Sequence, residues 1–196
     1  MRIVGGKWRG RALQAPEGRG TRPTTDRTRE SMASMVLSSF DLDLSNVRVL
    51  DAFAGSGAVG LELLSRGAMS CTFVERDRRA SGVVKRNISS LGAKPGEANL
   101  QVGDVFKLAE RGALAGGPFS LVVLDPPYAT DVELVAQLVC NMRDNGQLTS
   151  DAVILYERSS DASDLVVPGF ELIKSKARAT TAVTLLRVQP ASVEEA

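Results

Sequence analysis

Short apolar runs alternate with longer amphipathic runs along the middle of the chain, and this alternation restricts the fold more than any other feature. The apolar runs predict strands at 47–51, 70–75, 100–103 and 119–125, and the runs between them predict helices at 57–66, 79–91, 105–111 and 131–144. Buried parallel strands are apolar throughout, and the helices that connect them cover both sheet faces through right-handed crossovers. We therefore predict an α/β protein with a mostly parallel sheet.

The two ends of the chain follow different patterns. After the last of these helices, three strand-like runs come in succession at 152–157, 170–176 and 181–188. Only a short polar stretch separates the last two, which predicts a C-terminal antiparallel hairpin. At the amino terminus, residues 2–4 and 11–13 with glycines between them predict a short β-hairpin, and helical spacing of apolar residues follows from 26 to 40.

These patterns divide the chain into three parts: a basic N-terminal hairpin arm at 1–24, one domain at 25–188 and a flexible tail at 189–196. A single domain suits a chain of 196 residues of which 43% are apolar. No feature requires more than a monomer.

Composition excludes several kinds of chemistry and location. The chain has no histidine, and its two cysteines, Cys71 and Cys140, lie in apolar stretches without a paired cysteine. This excludes a zinc site and catalysis through imidazole, and we predict no metal. The sequence shows no apolar signal core and no apolar run of about 18 residues, so we expect a cytoplasmic protein without a membrane partner.

Positive charge is concentrated near the amino terminus. Residues 1–30 have eight Arg or Lys and three acids, a net charge of +5, whereas the remainder has −4 because the whole chain has +1. Such a segment predicts a polyanionic partner, although a solvated basic segment is the alternative. Trp8 lies between Lys7 and Arg9, so its indole either stacks on a nucleic acid base or attaches the arm to the domain.

A glycine-rich loop follows the first strand of the alternating region. Gly55, Gly57 and Gly60 match the GxGxxG pattern, and Glu75 lies 20 positions after Gly55 at the end of the next strand. Glycines let the backbone approach a ligand, and a strand-end acid accepts hydrogen bonds from ribose hydroxyls. The pattern predicts a cofactor that contains adenosine, and taken alone it fits a dehydrogenase.

Two further acids distinguish between adenosine cofactors. Asp51 ends the strand before the loop, where its charge repels a pyrophosphate and attracts the cationic amino-acid part of S-adenosylmethionine. Asp104 ends the third strand, where it accepts from an adenine amino group or caps the following helix. Because the loop has no Lys or Arg, we predict S-adenosylmethionine rather than NAD.

A stiff turn, Asp125-Pro126-Pro127-Tyr128, follows the apolar strand 119–124. Each proline fixes its own φ, and the residue before a proline avoids the helical region. Asp125 and the Pro126 carbonyl offer only hydrogen-bond acceptors, and Tyr128 offers a ring that stacks on a flat base. The turn predicts a site for an exocyclic amine, with an ordinary strand-ending turn as the alternative.

Together these motifs resemble a known family. Asp51-Ala-Phe-Ala-Gly-Ser-Gly and Asp125-Pro-Pro-Tyr are similar to the class I S-adenosylmethionine-dependent methyltransferases that act on exocyclic amino groups. Arg2-Ile-Val-Gly-Gly-Lys-Trp-Arg-Gly-Arg and Arg22-Pro-Thr-Thr-Asp-Arg-Thr-Arg-Glu resemble, more narrowly, the RsmD family of 16S ribosomal RNA guanine-N2 methyltransferases. The resemblance extends from residue 1 to about 188.

The resemblance implies a Rossmann-like, mostly parallel seven-stranded sheet with a C-terminal antiparallel hairpin, and a substrate guanine in small-subunit ribosomal RNA or a 30S assembly particle. The catalytic residues it implies are Asp125, Pro126 and Tyr128. The predicted cofactor residues are Asp51, Phe53, Gly55, Ser56, Gly57, Glu75, Arg76, Asp104, Val105 and Asp125. The predicted RNA-binding residues are Arg2, Lys7, Trp8, Arg9, Arg11, Arg22 and Arg27.

One departure from the family pattern lies directly after Glu75. The chain reads Glu-Arg-Asp-Arg-Arg there, and Arg76, Arg78 and Arg79 either contact RNA or form a solvated helix start, which we favour.

The resemblance also implies a mechanism. The weakly nucleophilic guanine amine donates to Asp125 and to the Pro126 carbonyl, which directs its lone pair at the methyl carbon, and the base flips out onto Tyr128. Three alternatives are adenine-N6 methylation of DNA or RNA, a noncatalytic RNA-binding protein with this fold, and an NAD-dependent dehydrogenase.

Overall fold

A seven-stranded sheet forms the centre of the protein in the computed structural model, which describes residues 1–16 and 25–189. The strands are β1 (Arg48–Asp51), β2 (Ser70–Glu75), β3 (Ala98–Val102), β4 (Phe119–Leu124), β5 (Leu148–Ser159), β6 (Phe170–Arg178) and β7 (Thr181–Val188). Their order in the sheet is β3-β2-β1-β4-β5-β7-β6. Strands β1 to β5 pair in parallel, and β7 is antiparallel to both β5 and β6. The predicted fold class and C-terminal hairpin are confirmed.

In the described part of the chain, five α-helices cover the sheet. They are α1 (Asp26–Ser39), α2 (Ala58–Ser65), α3 (Arg78–Leu91), α4 (Val105–Glu110) and α5 (Val132–Asp144). One apolar cluster joins residues of α1, α2 and α3 to one sheet face, and a second joins α4 and α5 to the other. Both faces are therefore buried, as the continuous apolar strands predict.

The strand order reverses between β1 and β4, which are neighbours in the sheet although two other strands separate them in sequence. The connections from these two strands leave toward opposite sides of the sheet, so a crevice opens beyond their carboxyl ends. Asp51 ends β1, and Asp125 directly follows β4. The topology therefore brings both predicted site residues to one edge of the sheet.

The N-terminal segment forms a short antiparallel pairing where the sequence predicts a hairpin, and the Ile3 N–H donates to the Arg11 carbonyl at 2.9 Å. A single antiparallel bridge joins Arg2 to Ala12, and a 3₁₀ turn at Gly6–Trp8 lies between them. The segment packs against α2, because the buried Glu62 accepts from the backbone N–H groups of Val4 at 2.7 Å and Gly5 at 2.8 Å. These bonds attach it to the domain, while the predicted boundary at 24 and the tail from 190 onward lie outside the described residues.

The C-terminal hairpin leaves one edge of the sheet uncovered. Residues of β6 after Phe170 are exposed, and the pairing with β7 is irregular between Leu172 and Lys174. Each helix within residues 1–16 and 25–189 is too short or too polar to span a membrane.

Candidate active site

A cleft of about 1800 Å³ opens at the carboxyl ends of the parallel strands. The four predicted strand-end acids, Asp51, Glu75, Asp104 and Asp125, all line it. The other predicted site residues along the cleft are Phe53, Gly55, Ser56, Arg76, Val105, Pro126, Tyr128 and Arg27. Gly57 is buried beneath the loop and does not line the cleft. The fold thus brings nearly all of the predicted cofactor and catalytic residues to one place.

The glycine loop has the backbone geometry that its sequence predicts. Gly57 precedes α2 with φ of +77°, a left-handed conformation that glycine adopts without steric cost. At Gly60 the reason for glycine is space, because a Cβ there would lie 2.5 Å from a Phe73 ring carbon and 2.6 Å from Cys71 Sγ. The missing side chain lets α2 pack directly on β2, which brings the helix and its preceding loop close to the strand ends.

Asp51 is a buried acid below the loop. Its side chain is 3% exposed, and Oδ2 accepts from the Gly60 N–H at 3.1 Å. Burial raises the pKa of Asp51 to about 7; the nearby charges of Asp125 and Glu75 add to the rise, and the Gly60 hydrogen bond opposes it. A cationic ligand group in the cleft would favour the ionised carboxylate, as expected of a site for an ammonium group.

Glu75 attaches the glycine loop to the end of β2. Its Oε2 accepts from the Gly55 N–H at 2.8 Å, and its Oε1 accepts from the Asp77 N–H at 2.8 Å. A carboxylate oxygen has two lone pairs, so both oxygens retain capacity for a further donor. The ribose contact of Glu75 stays a prediction.

Asp104 caps helix α4, which was the alternative to a contact with adenine. Its Oδ1 accepts from the backbone N–H groups of Phe106 at 3.0 Å and Lys107 at 3.4 Å at the start of α4. Both bonds use one oxygen, and contact between Asp104 and an adenine stays a prediction. Beside it, the rings of Phe53 and Phe106 meet edge to face with centroids 5.7 Å apart. These rings form an apolar wall of the cleft that suits a flat heterocycle.

The Asp125-Pro126-Pro127-Tyr128 turn borders the other end of the cleft. Asp125 is partly exposed, Pro126 is buried, and Tyr128 is 51% exposed. The Pro127 carbonyl accepts from the Thr130 N–H at 2.8 Å, which closes the turn before α5. The arrangement leaves the tyrosine ring accessible beside a carboxylate.

The predicted RNA-binding residues separate into distinct environments. Arg2 forms an ion pair with Asp26 at 3.2 Å, Lys7 forms one with Glu97 at 3.1 Å, and Arg11 donates to the Ser90 carbonyl. Arg9 and Arg27 are exposed, and Arg22 lies outside the described residues. Arg9 lies beside the 3₁₀ turn and Arg27 at the rim of the cleft, and Arg2 is exposed as well despite its ion pair.

Trp8 does not have the environment of a stacking platform. Its side chain is 8% exposed and packs in the same apolar cluster as Ile3 and Leu13, with the Lys7 ammonium 4.5 Å from the ring centroid. Because the ring is buried, it offers no free face to a base in this conformation. The structure supports the alternative in which Trp8 attaches the segment to the domain.

Several residues of the site escaped the sequence analysis. Lys176 and Arg178 of β6 line the cleft, as does Glu157 near the end of β5. The buried Asn87 donates to the carbonyls of Gln14 at 3.0 Å and Ser56 at 2.9 Å, and so joins the N-terminal segment to the glycine loop. Only Glu157 has a signal in the sequence, since it follows an apolar strand as the other acids do. In the described parts of the chain, no group of His, Cys, Asp and Glu could hold a metal.

The fold is the Rossmann-like fold of methyltransferases. The same fold occurs in magnesium protoporphyrin IX methyltransferase from Synechocystis with bound S-adenosylmethionine, at a TM-score of 0.62 and 14% identity over 88% of this chain and 87% of that chain. The family model described as "Conserved hypothetical protein 95" matches residues 1–187. The chain belongs to this family, which is the RsmD family that its motifs resemble.

Two ribosomal RNA methyltransferases and one solved structure are similar to this chain over most of its length. The chain is 37% identical to Ribosomal RNA small subunit methyltransferase D of Escherichia coli K12, over 86% of this chain and 79% of the relative. It is 31% identical to the protein of the same name from Haemophilus influenzae, over 96% of this chain and 92% of the relative. The solved structure of the Escherichia coli protein YhhF has a TM-score of 0.79 and 34% identity, covering 97% of this chain and 99% of that chain.

Proposed function

We propose that this protein transfers a methyl group from S-adenosylmethionine to the exocyclic N2 amine of a guanine in small-subunit ribosomal RNA. The observation that carries the proposal is the position of the Asp125-Pro126-Pro127-Tyr128 turn at the same cleft as Asp51, Glu75 and the glycine loop. The named relatives are small-subunit ribosomal RNA methyltransferases, which supports the class of substrate.

The groups that line the cleft, together with its volume, fit S-adenosylmethionine. Asp51 suits the cationic amino-acid end, Glu75 suits the ribose hydroxyls, and Phe53 with Phe106 forms an apolar wall for the adenine. When bound, the cofactor supplies an activated methyl group on a sulfonium. The residues of the chain supply binding and orientation, and the lack of histidine is compatible with a reaction that depends on positioning.

At the other end of the cleft, Asp125 and the Pro126 carbonyl accept the two amine hydrogens. These bonds favour a pyramidal nitrogen and orient its lone pair along the line of transfer, so the protein contributes positioning and electrostatics. Tyr128 stacks on the extruded base, and stacking of this kind contributes about 1–3 kcal/mol. A base held at three points approaches the methyl group in one orientation.

Arg9 and Arg27 then contact phosphates of the RNA, together with the cations of the N-terminal segment that also bond to the protein. The substrate is small-subunit ribosomal RNA or a 30S assembly particle. The protein acts on it as a monomer in the cytoplasm.

Nucleoside mass spectrometry tests the proposal. Ribosomal RNA and 30S particles from a strain that lacks the gene are incubated with purified protein and isotopically labelled S-adenosylmethionine, then digested and analysed. We expect one labelled N2-methylguanosine, and mapping of RNA fragments then identifies its position. Labelled N6-methyladenosine, or no incorporation into either substrate, would overturn the proposal.

A matched pair of variants tests the role of the turn. Asp125→Ala should abolish the transfer while S-adenosylmethionine affinity, measured by calorimetry, stays within a few-fold. Asp144→Asn changes an exposed acid outside the cleft and should leave both quantities unchanged. Undiminished turnover in Asp125→Ala would contradict the assignment.

A further inference from the structure

Glu157 lies beside Asp125 at the edge of the sheet where the cleft opens. Leu124 of β4 pairs in parallel with Tyr156 of β5, and Asp125 and Glu157 are the residues that follow them. Neighbouring strands lie about 4.8 Å apart. The two acids are therefore adjacent across the sheet, and both line the cleft.

The side chain of Glu157 points toward the face of the sheet that α1 covers. Glu157 pairs directly with Val183 of β7, and directly paired residues project to the same face. Val183 belongs to the apolar cluster on the α1 side, whereas the preceding Tyr156 belongs to the cluster on the opposite side. Glu157 is 6% exposed and also borders a smaller cavity of about 190 Å³ formed with Pro126, Pro127 and Tyr128. Its carboxylate is thus a buried acceptor next to the predicted base position.

Glu62 is a second buried glutamate, and its role is purely structural. Glu62 is 1% exposed, and its oxygens accept from the backbone of Val4 and Gly5 and from Arg66 Nε at 2.8 Å. Glu62 does not line the cleft. Glu157 differs from it in position, because it borders both cavities beside the turn that we propose holds the amine.

The two candidate bases present opposite groups beside their amines. In guanine the ring N1 next to the N2 amine carries a hydrogen and donates, whereas in adenine the ring N1 next to the N6 amine has a lone pair and accepts. A carboxylate only accepts hydrogen bonds. A glutamate beside the amine clamp therefore complements guanine and leaves an adenine with two facing acceptors.

We propose that Glu157 is a specificity residue, whose carboxylate accepts the ring N1–H of the target guanine while Asp125 and the Pro126 carbonyl hold its amine. The inference rests on the proposed function and goes further, because it assigns the choice between guanine and adenine to one side chain. A site built to bond a polar group rejects an analogue without that group by about 10⁴-fold.

The test uses 2-aminopurine, which keeps the N2 amine of guanine but has an acceptor at ring N1. Two oligoribonucleotides are prepared that differ only at the mapped target position, which carries guanine or 2-aminopurine. Single-turnover transfer is measured for the wild type, Glu157→Gln and Glu171→Gln. The last variant changes an exposed glutamate of β6 outside the cleft and serves as the control.

The wild type should methylate guanine at least about 100-fold faster than 2-aminopurine. In Glu157→Gln the side-chain amide donates to the ring N1 of 2-aminopurine, so the preference for guanine should fall by at least about tenfold. Glu171→Gln should keep the wild-type preference. Intrinsic differences in reactivity between the two bases cancel when the ratios of the variants are compared.

A structural role for Glu157 would lower both rates in parallel, and an unchanged ratio would overturn the inference. Equal wild-type rates on the two bases would overturn it as well, even if Glu157→Gln did not fold. Failure of the wild type to methylate the N2 amine of either base would instead refute the proposed function, so the two failures are distinguishable.

Discussion

The raised pKa of Asp51 predicts that this carboxylate destabilises the folded chain at neutral and alkaline pH. Burial is the main cause, and it raises the pKa from its ordinary 3.8 to about 7. Below pH 4 the group is protonated in both folded and unfolded chains. Between pH 4 and 7 the folded chain binds the proton more tightly, so the free energy of unfolding decreases as pH rises and levels off above the folded pKa.

The magnitude follows from the two pKa values. Their difference corresponds to roughly 4 kcal/mol, since one pKa unit equals about 1.36 kcal/mol. Asp51→Asn removes the charge and keeps an oxygen that can accept from the Gly60 N–H. We therefore expect the variant to gain stability over the wild type by up to this amount at pH 8 and by much less at pH 5, while it loses affinity for the cofactor.

Urea unfolding at pH 5, 6, 7 and 8, without cofactor, measures the difference directly. Because the chain has no histidine, few other side chains titrate in this interval. Asp144→Asn removes an exposed acid and should follow the wild type at every pH. A difference between wild type and Asp51→Asn that stays constant from pH 5 to pH 8 would refute the reasoning.

Three further predictions concern the base, the helix packing and the RNA. Tyr128→Ala should lower single-turnover transfer to RNA by about 5- to 150-fold, the loss of 1–3 kcal/mol of stacking, and change cofactor affinity less; the reverse pattern would make the tyrosine structural. Gly60→Ala should lower the free energy of unfolding by about 1–3 kcal/mol in urea, because its Cβ would overlap Phe73, and an unchanged value would contradict this close packing. Neutralising Arg9 and Arg27 to Gln should weaken RNA binding and reduce the salt slope by about 2 in filter binding, whereas an unaltered slope would exclude phosphate contacts.

Much of the lining of the cleft was predictable from the sequence because its signals are local. A carboxylate directly after an apolar strand reaches the carboxyl edge of a parallel sheet wherever that strand lies in the sheet. Asp51, Glu75, Asp104 and Asp125 meet at the cleft for this reason. The role of the loop glycines was equally predictable, because a left-handed backbone at Gly57 and a close helix contact at Gly60 each require glycine.

The environment of the N-terminal segment was less predictable because it depends on distant partners. Trp8 between two cations reads equally as a stacking ring or an anchor, and its burial is decided by packing in the main apolar cluster. The hairpin is short, and the connection between its two paired segments is held by hydrogen bonds to Glu62 and Ser65 of α2. Neither partner is near it in sequence.

By itself, the sequence determined the strand and helix pattern, the glycine loop, the strand-end acids and the stiff turn after β4, since periodicity and residue chemistry act over a few positions. Only the tertiary structure decided which strands are neighbours. That order, with β5 beside β4 and β7 inserted between β5 and β6, brings Glu157 next to Asp125 and the hairpin residues Lys176 and Arg178 to the cleft. Strand order is a property of long-range packing, because each β-strand could in principle pair with several others, and the burial of both sheet faces selects one arrangement.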